Sequence, residues 1–164
     1  MKKIEKKIKD YLIKLYPFNK LYFFLKILKK SKKRYYYADN GEDIIIQGLF
    51  NHKRDGFYID VGCYHPIRAS LTHLLYKKGW KGVNIDISKD TINLFNIARP
   101  NDKNINIGIA DKEGEDFYYQ SSHINQANSF KFYNNVEKVK VQITTLDNII
   151  KNLGIEKIDF LNID

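Results

Sequence analysis

The sequence is poor in the residues that hold extracellular or zinc-bound domains together. Cys63 is its single cysteine, so an intrachain disulfide and a cysteine-based zinc site are both excluded. No constellation of His, Asp and Glu typical of a metal site is evident, and we expect no bound metal. A single cysteine fits a reducing compartment. We therefore expect a cytoplasmic protein, or one that is peripheral at the inner face of the membrane.

Long hydrophobic runs are also missing. No segment approaches the roughly 18 apolar residues of a membrane span, and Lys26 interrupts the longest candidate, residues 21–28. The N-terminus is basic, but the uninterrupted apolar stretch of about 7–15 residues that makes a signal peptide does not follow it. The sequence therefore predicts neither a membrane span nor a secretion signal.

The glycine fingerprint G-x-G-x-x-G of dinucleotide-binding folds is absent as well. That fingerprint brings a pyrophosphate close to the start of a helix. Its absence disfavours a nicotinamide dehydrogenase and favours a ligand without a pyrophosphate.

Positive charge is abundant but unevenly distributed. Residues 1–34 contain thirteen Lys and Arg against two acidic residues, a net charge of +11, whereas residues 35–164 contain fifteen basic and seventeen acidic residues, a net of −2. These sum to the +9 of the whole chain. We place a domain boundary near residue 35, between a basic arm (1–34) and a nearly neutral domain (35–164).

The basic arm has the pattern of two amphipathic helices, over residues 1–16 and 18–30, separated by Pro17. Basic amphipathic helices bind anionic membrane surfaces. Packing of the apolar stripe on the domain or on a partner is the alternative, and both stay open. Attraction of the arm to nucleic-acid phosphates would be nonspecific, so we expect no specific nucleic-acid partner.

After residue 35, strand patterns alternate with helical patterns of about ten residues. This alternation predicts an α/β fold with a parallel sheet and helices on both faces. Thr144, Gly79 and Gly154 are predicted helix caps. The predicted strands are 56–61, 81–87, 105–109, 117–119, 136–143 and 158–163, and the predicted helices are 68–78, 89–98 and 145–153. Residues 120–135, rich in Ser, Asn and Gln, are predicted to be a loop.

Two strand ends could carry chemistry. In doubly wound sheets, ligands bind beyond the carboxyl ends of the strands. Asp60-x-Gly62 ends the first strand, where a glycine allows close approach of the backbone and a carboxylate attracts a cationic group. Asp86 ends the second strand, where a carboxylate can accept hydrogen bonds from both hydroxyls of a ribose. The alternatives are a plain strand–turn–helix junction and, at Asp86, a helix cap for which Ser88 and Asp90 compete.

These segments, taken in order, resemble the motifs of FkbM-family methyltransferases. Residues 56–62 (GFYIDVG) resemble the first motif of the family, and residues 79–86 (GWKGVNID) its second strand, whose acidic residue holds the cofactor ribose. Residues 111–114 (DKEG) resemble the turn after its third strand. The stretches 145–150 (TLDNII) and 157–164 (KIDFLNID) resemble the approach to its fourth strand, and residues 40–43 (NGED) an upstream motif. The resemblance spans roughly residues 39–164.

The resemblance implies a Rossmann-like class I methyltransferase sheet that uses S-adenosyl-L-methionine. It also implies O-methylation of a sugar, glycan or related small-molecule hydroxyl. A non-catalytic module that binds the cofactor, or one that binds a membrane surface, is the alternative. The candidate cofactor-binding residues are Asp60, Gly62, Cys63, Asp86 and Asp111.

A methyl transfer to a hydroxyl needs a base, and His65 and Asp164 are the candidates. His65 lies in the loop after the first strand, and Asp164 ends the fourth. His73 is predicted to lie at the surface or to pack, and Trp80 to pack in the core, rather than to bind a ligand.

The chain departs from the family pattern in two places. Tyr64-His65-Pro66 stands where the family often has an asparagine and a second glycine. The sequence ends at Asp164, where family members continue with further strands. We therefore expect an incomplete sheet, self-association through the unpaired apolar strand 158–163, and at most cofactor binding by residues 1–164.

Overall fold

A computed structural model of the chain describes residues 20–22, 24–25, 35–121 and 136–164. The predicted helix 1–16 and the greater part of the predicted loop 120–135 lie outside these ranges. Within the predicted helix 18–30, the described residues are helical. Among the described helices, none combines the length and apolar character that crossing a membrane requires.

The described part of the arm presents an apolar surface that is only partly covered. Tyr22 packs beside Leu94 of the domain, whereas Leu21, Phe24 and Leu25 are each about half exposed. Binding of the arm to an anionic membrane therefore stays a prediction, as does the boundary at residue 35.

The described residues form four helices of the domain and seven strands. The helices are α1 (Glu42–Leu49), α2 (His73–Lys77), α3 (Lys89–Ala98) and α4 (Leu146–Asn152). The strands are β1 (Phe57–Val61), β2 (Lys81–Asp86), β3 (Lys103–Asn106), β4 (Gly108–Ile109), β5 (Gly114–Ser121), β6 (Val136–Thr144) and β7 (Phe160–Ile163). Helix α1 begins within the NGED segment, at Glu42, and was not predicted.

A parallel sheet of four strands, in the order β3-β2-β1-β7, forms the centre of the domain. The chain moves outward from β1 to β3 and then returns to pair β7 with the other side of β1. The strand order therefore reverses at β1, and in such sheets the ligand crevice lies at the carboxyl ends beside this reversal. The predicted α/β fold of the class I methyltransferase type is confirmed.

The two faces of this sheet differ in polarity. One face is apolar, with Ile59, Val61 and Val83 packed in a cluster that includes Ile149 of α4. On the opposite face, Tyr58 packs against Leu75 of α2 in a smaller apolar cluster. The rest of that face carries buried polar side chains, including Asp60 and Asn84. Helices cover both faces, as the alternation predicted.

A second sheet of three strands, β4-β6-β5, contains the β5–β6 hairpin. The prediction of one strand over 105–109 was wrong, because β3 pairs with β2 whereas β4 pairs with β6. The Asn106 side chain donates to the carbonyl oxygens of Asp86 and Ile87 at 2.9 and 2.8 Å. These bonds fix the end of β3, and the chain passes through Ile107 into the second sheet.

The prediction of a helix over 68–78 was also wrong in its first half, because α2 begins at His73. Ser70 and Thr72 use their hydroxyls to bind Arg99, and Ala69 has a φ of 51°, which no helix accommodates. Segment 62–72, named the β1–α2 loop below, is therefore irregular.

The predicted caps are mostly confirmed. Gly79 and Gly154 follow α2 and α4 with positive φ, and Ser88 caps α3 by accepting from Thr91 N. The cap of α4 is Thr145 and not Thr144, because the Thr144 hydroxyl donates to Glu113 instead.

The outer side of β7 has no strand partner among the described residues. Leu161 and Ile163 on this strand are 43% and 63% exposed. Self-association through β7 stays a prediction.

Candidate functional site

Four residues form a row along the carboxyl edge of the parallel sheet. Asp86 and Asn106 are paired in the register of β2 and β3. Gly62 and Asp164 follow the last paired residues of β1 and β7. The row contains two carboxylates, one amide and one bare backbone position, and it lies at the reversal in strand order where a ligand is expected.

Gly62 allows the β1–α2 loop to pass close to the end of β7. Its φ is +74°, and a Cβ built there would lie 2.7 Å from the carbonyl oxygen of Asp164. Its N–H donates to Ile85 O at 2.9 Å. Any side chain at this position would be strained by its backbone conformation and would collide with the backbone of Asp164, so glycine is favoured here.

Asp86 joins the loop after β1 to the loop after β2. Its Oδ1 accepts from Ser88 N at 2.7 Å, and its Oδ2 accepts from Tyr64 N at 3.1 Å. Burial raises the pKa of this carboxyl, while these two N–H groups act in the opposite direction. A carboxylate has about four lone-pair sites, so each oxygen can accept one further donor. The side chain is only partly buried, and it fits the predicted role of holding two ribose hydroxyls.

Asp60 lies behind this row and not in it. The residue is 3% exposed. Its Oδ2 accepts from Thr72 Oγ1 at 2.7 Å, and its Oδ1 accepts from Asn162 Nδ2 at 2.9 Å. Burial raises the pKa of Asp60, and both hydrogen bonds lower it. Any effect of Asp60 on the edge is therefore indirect, through Thr72 and Asn162, which it holds.

Arg99, which sequence reasoning missed, is the centre of the buried polar layer. The residue is completely buried, and its guanidinium lies over the Phe95 ring at 5.0 Å. Nε and Nη2 both donate to Pro66 O, Nη2 also donates to Ser70 Oγ, and Nη1 donates to Thr72 Oγ1 and Tyr58 OH. All five N–H groups that a guanidinium has are thus used, and every acceptor is uncharged.

Two hydroxyls connect Arg99 to two carboxylates. Thr72 accepts from Arg99 at 2.8 Å and donates to Asp60. Tyr58 accepts from Arg99 at 3.2 Å and donates to Asp102. Because arginine stays protonated in proteins, it cannot accept, so both hydroxyl hydrogens must point to the carboxylates.

Asp102 anchors the far end of the same network. Its Oδ1 accepts from Gly82 N at 3.0 Å, and its Oδ2 accepts from Asn84 Nδ2 at 3.0 Å. A Cβ on Gly82 would lie 2.4 Å from the Tyr58 ring. The absence of a side chain at Gly82 lets Tyr58 cross β2 and reach Asp102.

The candidate bases differ in their surroundings. His65 is 3% exposed, and its Nδ1 accepts from Ile67 N at 3.1 Å and from Arg68 N at 3.0 Å. Proton acceptance at Nδ1 would break both of these bonds. Asp164 is exposed, and its N–H donates to Val61 O at 3.1 Å, which holds it beside β1.

Two of the predicted cofactor-binding residues, Cys63 and Asp111, lie apart from the row. The Cys63 side chain packs with Ile92 and Phe95, and burial raises the pKa of its thiol well above the usual value. Only its backbone N–H reaches the strand ends, donating to Ile85 O. Asp111 is exposed in the turn before β5. No hydrogen bond or ion pair joins it to another candidate within the described ranges.

Comparison with known protein families identifies the family of the chain. Residues 60–164 match the family described as "Methyltransferase FkbM domain". The chain belongs to the FkbM methyltransferase family. Searches of curated proteins and of solved structures find no significant match. In this FkbM methyltransferase domain, the matched segment begins at Asp60 and includes every candidate residue named above.

Proposed function

We propose that this FkbM methyltransferase domain binds S-adenosyl-L-methionine at the carboxyl edge of its parallel sheet. We further propose that it O-methylates a sugar, glycan or related small-molecule hydroxyl. The observation that carries the proposal is the row of Gly62, Asp86, Asn106 and Asp164 at the reversal in strand order. Membership of a methyltransferase family supports the choice of ligand.

Two members of the row, and the buried Asp60 behind it, have separate tasks in this proposal. The Asp86 carboxylate accepts from the ribose hydroxyls, because it is partly exposed and each oxygen has spare acceptor capacity. Gly62 presents bare backbone, so that a ligand can approach the β1–α2 loop closely. The buried Asp60 supplies negative charge behind this loop, which favours a cationic ligand.

When bound, S-adenosylmethionine supplies a methyl group on a sulfonium, which the acceptor oxygen takes while the electron pair of the broken carbon–sulfur bond stays on sulfur. The proton of the acceptor hydroxyl must then move to a base. Asp164 suits this role better than His65, because it is exposed at the edge, whereas His65 Nδ1 already accepts two backbone N–H groups. Alignment of the acceptor with the edge is the main contribution left to the protein.

Replacing Asp86 by alanine tests the ribose contact. Loss of charge-assisted hydrogen bonds is expected to weaken binding of S-adenosylhomocysteine, the demethylated product, by about 1–3 kcal/mol. Titration calorimetry measures the change. Asp90→Ala is the matched control, because Asp90 is an exposed carboxylate on the first turn of α3, and its affinity is expected to equal that of the wild type.

Two outcomes would count against this assignment. Equal affinity in the wild type and in Asp86→Ala would remove the ribose role of Asp86. Tighter binding of NAD than of S-adenosylhomocysteine by the wild type would remove the cofactor itself.

A further inference from the structure

Burial of the Arg99 guanidinium has a free-energy cost that the packing of the domain does not explain. A buried charge is costly unless it is paired and hydrogen-bonded, and all its acceptors in this domain are uncharged. Replacement of a whole buried charged network by well-packed apolar residues is often neutral or even stabilising. A reason other than packing is therefore needed for a cation in this place.

The contacts of Arg99 are concentrated on the β1–α2 loop. Four of its five hydrogen bonds go to Pro66, Ser70 and Thr72. This loop has neither helical nor strand hydrogen bonds over residues 66–71. The guanidinium thus supplies the donors that hold an irregular segment in one conformation, and the same segment begins at Gly62.

Thr72 connects Arg99 to Asp60 through hydrogen bonds. Its hydroxyl accepts from Arg99 Nη1 and donates to Asp60 Oδ2, so the orientation of the carboxylate follows that of the guanidinium. The cation also favours the ionised carboxylate against the effect of burial. In its ionised form, Asp60 would favour a cationic ligand at the edge in front of it.

We propose that Arg99 is a positioning residue of the donor site, which acts through Thr72 on Asp60 and through Pro66 and Ser70 on the β1–α2 loop. This inference rests on the proposed function, since it takes S-adenosylmethionine as the cationic ligand. Tyr58 and Asp102 form the structural half of the same network, on the side away from the loop.

Matched substitutions can be made on the two sides of the Arg99 network, at Thr72 and at Tyr58. Thr72→Val keeps the shape of the side chain and removes the hydroxyl that joins Arg99 to Asp60. Thr72→Ser keeps the hydroxyl and is the rescue variant. Tyr58→Phe removes the other hydroxyl that accepts from Arg99 Nη1, and it leaves the link to Asp60 in place.

Calorimetric titration of the full chain with S-adenosylhomocysteine separates these roles. Thr72→Val is expected to weaken binding about tenfold or more, as loss of a hydrogen bond to a charged group does. Thr72→Ser and Tyr58→Phe are expected to bind within about twofold of the wild type. In the ligand-free protein, backbone amides of residues 62–72 are expected to exchange with solvent faster in Thr72→Val than in Tyr58→Phe.

Two results would contradict the role of Arg99, and a third would contradict the proposed function. Wild-type affinity in Thr72→Val would overturn the role of Arg99. An equal loss of affinity in Tyr58→Phe, with equal exchange in the loop, would also overturn it, because a general loosening of the fold would then explain both variants. A wild type that fails to bind S-adenosylhomocysteine would instead count against the proposed function, and would remove the donor role of Arg99 with it.

Discussion

Replacing Arg99 by methionine is expected to lower the free energy of unfolding by about 3–5 kcal/mol, the usual range for removal of one partner from a buried charged network. Methionine has a similar length but offers no donor, so Pro66 O, Ser70 and Thr72 would lose their contacts with the guanidinium. Asp60 and Asp102 would remain buried without a cation. Urea denaturation measures the change from the shift in midpoint.

Arg68→Met is the control for this substitution. It makes the same chemical change on an exposed side chain of the same loop, and a change within about 0.5 kcal/mol is expected. An Arg99→Met protein as stable as Arg68→Met would show that the buried network does not hold the loop.

Lowering the pH from 7 to 5 is expected to destabilise the fold through His73 by about 2 kcal/mol. Burial, and then the charges of Arg99 and Lys77, lower the pKa of His73 from 6.5 to about 3. Between these values the unfolded chain binds a proton that the folded chain does not. Stability is therefore complete above pH 6.5 and falls progressively as the pH approaches 3.

Comparison of two glutamine variants isolates this contribution. His73→Gln is expected to flatten the dependence of unfolding free energy on pH, whereas His52→Gln, at an exposed histidine, is expected to leave it unchanged. The two variants are compared with each other because Asp60 and Asp102, whose pKa values are raised by burial, also contribute to the pH dependence of each protein. These carboxyls act with the opposite sign, adding stability at low pH that is lost as the pH rises. Equal slopes in both variants would contradict the assignment to His73.

The architecture was predictable because hydrophobic patterning determines it. Apolar stretches that end in Asp60, Asp86 and Asp164 alternate with helical patterns, and this order is sufficient for a parallel sheet. Where patterning was ambiguous, prediction failed. The apolar pattern of residues 105–109 does not reveal that pairing with β2 stops at Asn106 and that pairing with β6 starts at Gly108.

The positions of Gly62, Asp86 and Asp164 in the candidate site were also predictable, since these residues stand at strand ends in the sequence. The buried half was not, because Arg99 and Thr72 come from segments that are irregular or end a helix. A signal was nevertheless present in the strands. Each of the four parallel strands carries a polar residue two positions before the residue at its carboxyl edge, which places both on one face. These pairs are Asp60-x-Gly62, Asn84-x-Asp86, Asn104-x-Asn106 and Asn162-x-Asp164.

The central claim is that the carboxyl edge of the parallel sheet binds the methyl donor. Hydrogen exchange of backbone amides, measured with and without saturating S-adenosylhomocysteine, locates the bound ligand most directly. We expect slower exchange in residues 62–68 and 86–89, with residues 114–119 of the β5–β6 hairpin unchanged. Binding that protects the hairpin while residues 62–68 and 86–89 exchange at their ligand-free rates would contradict the account.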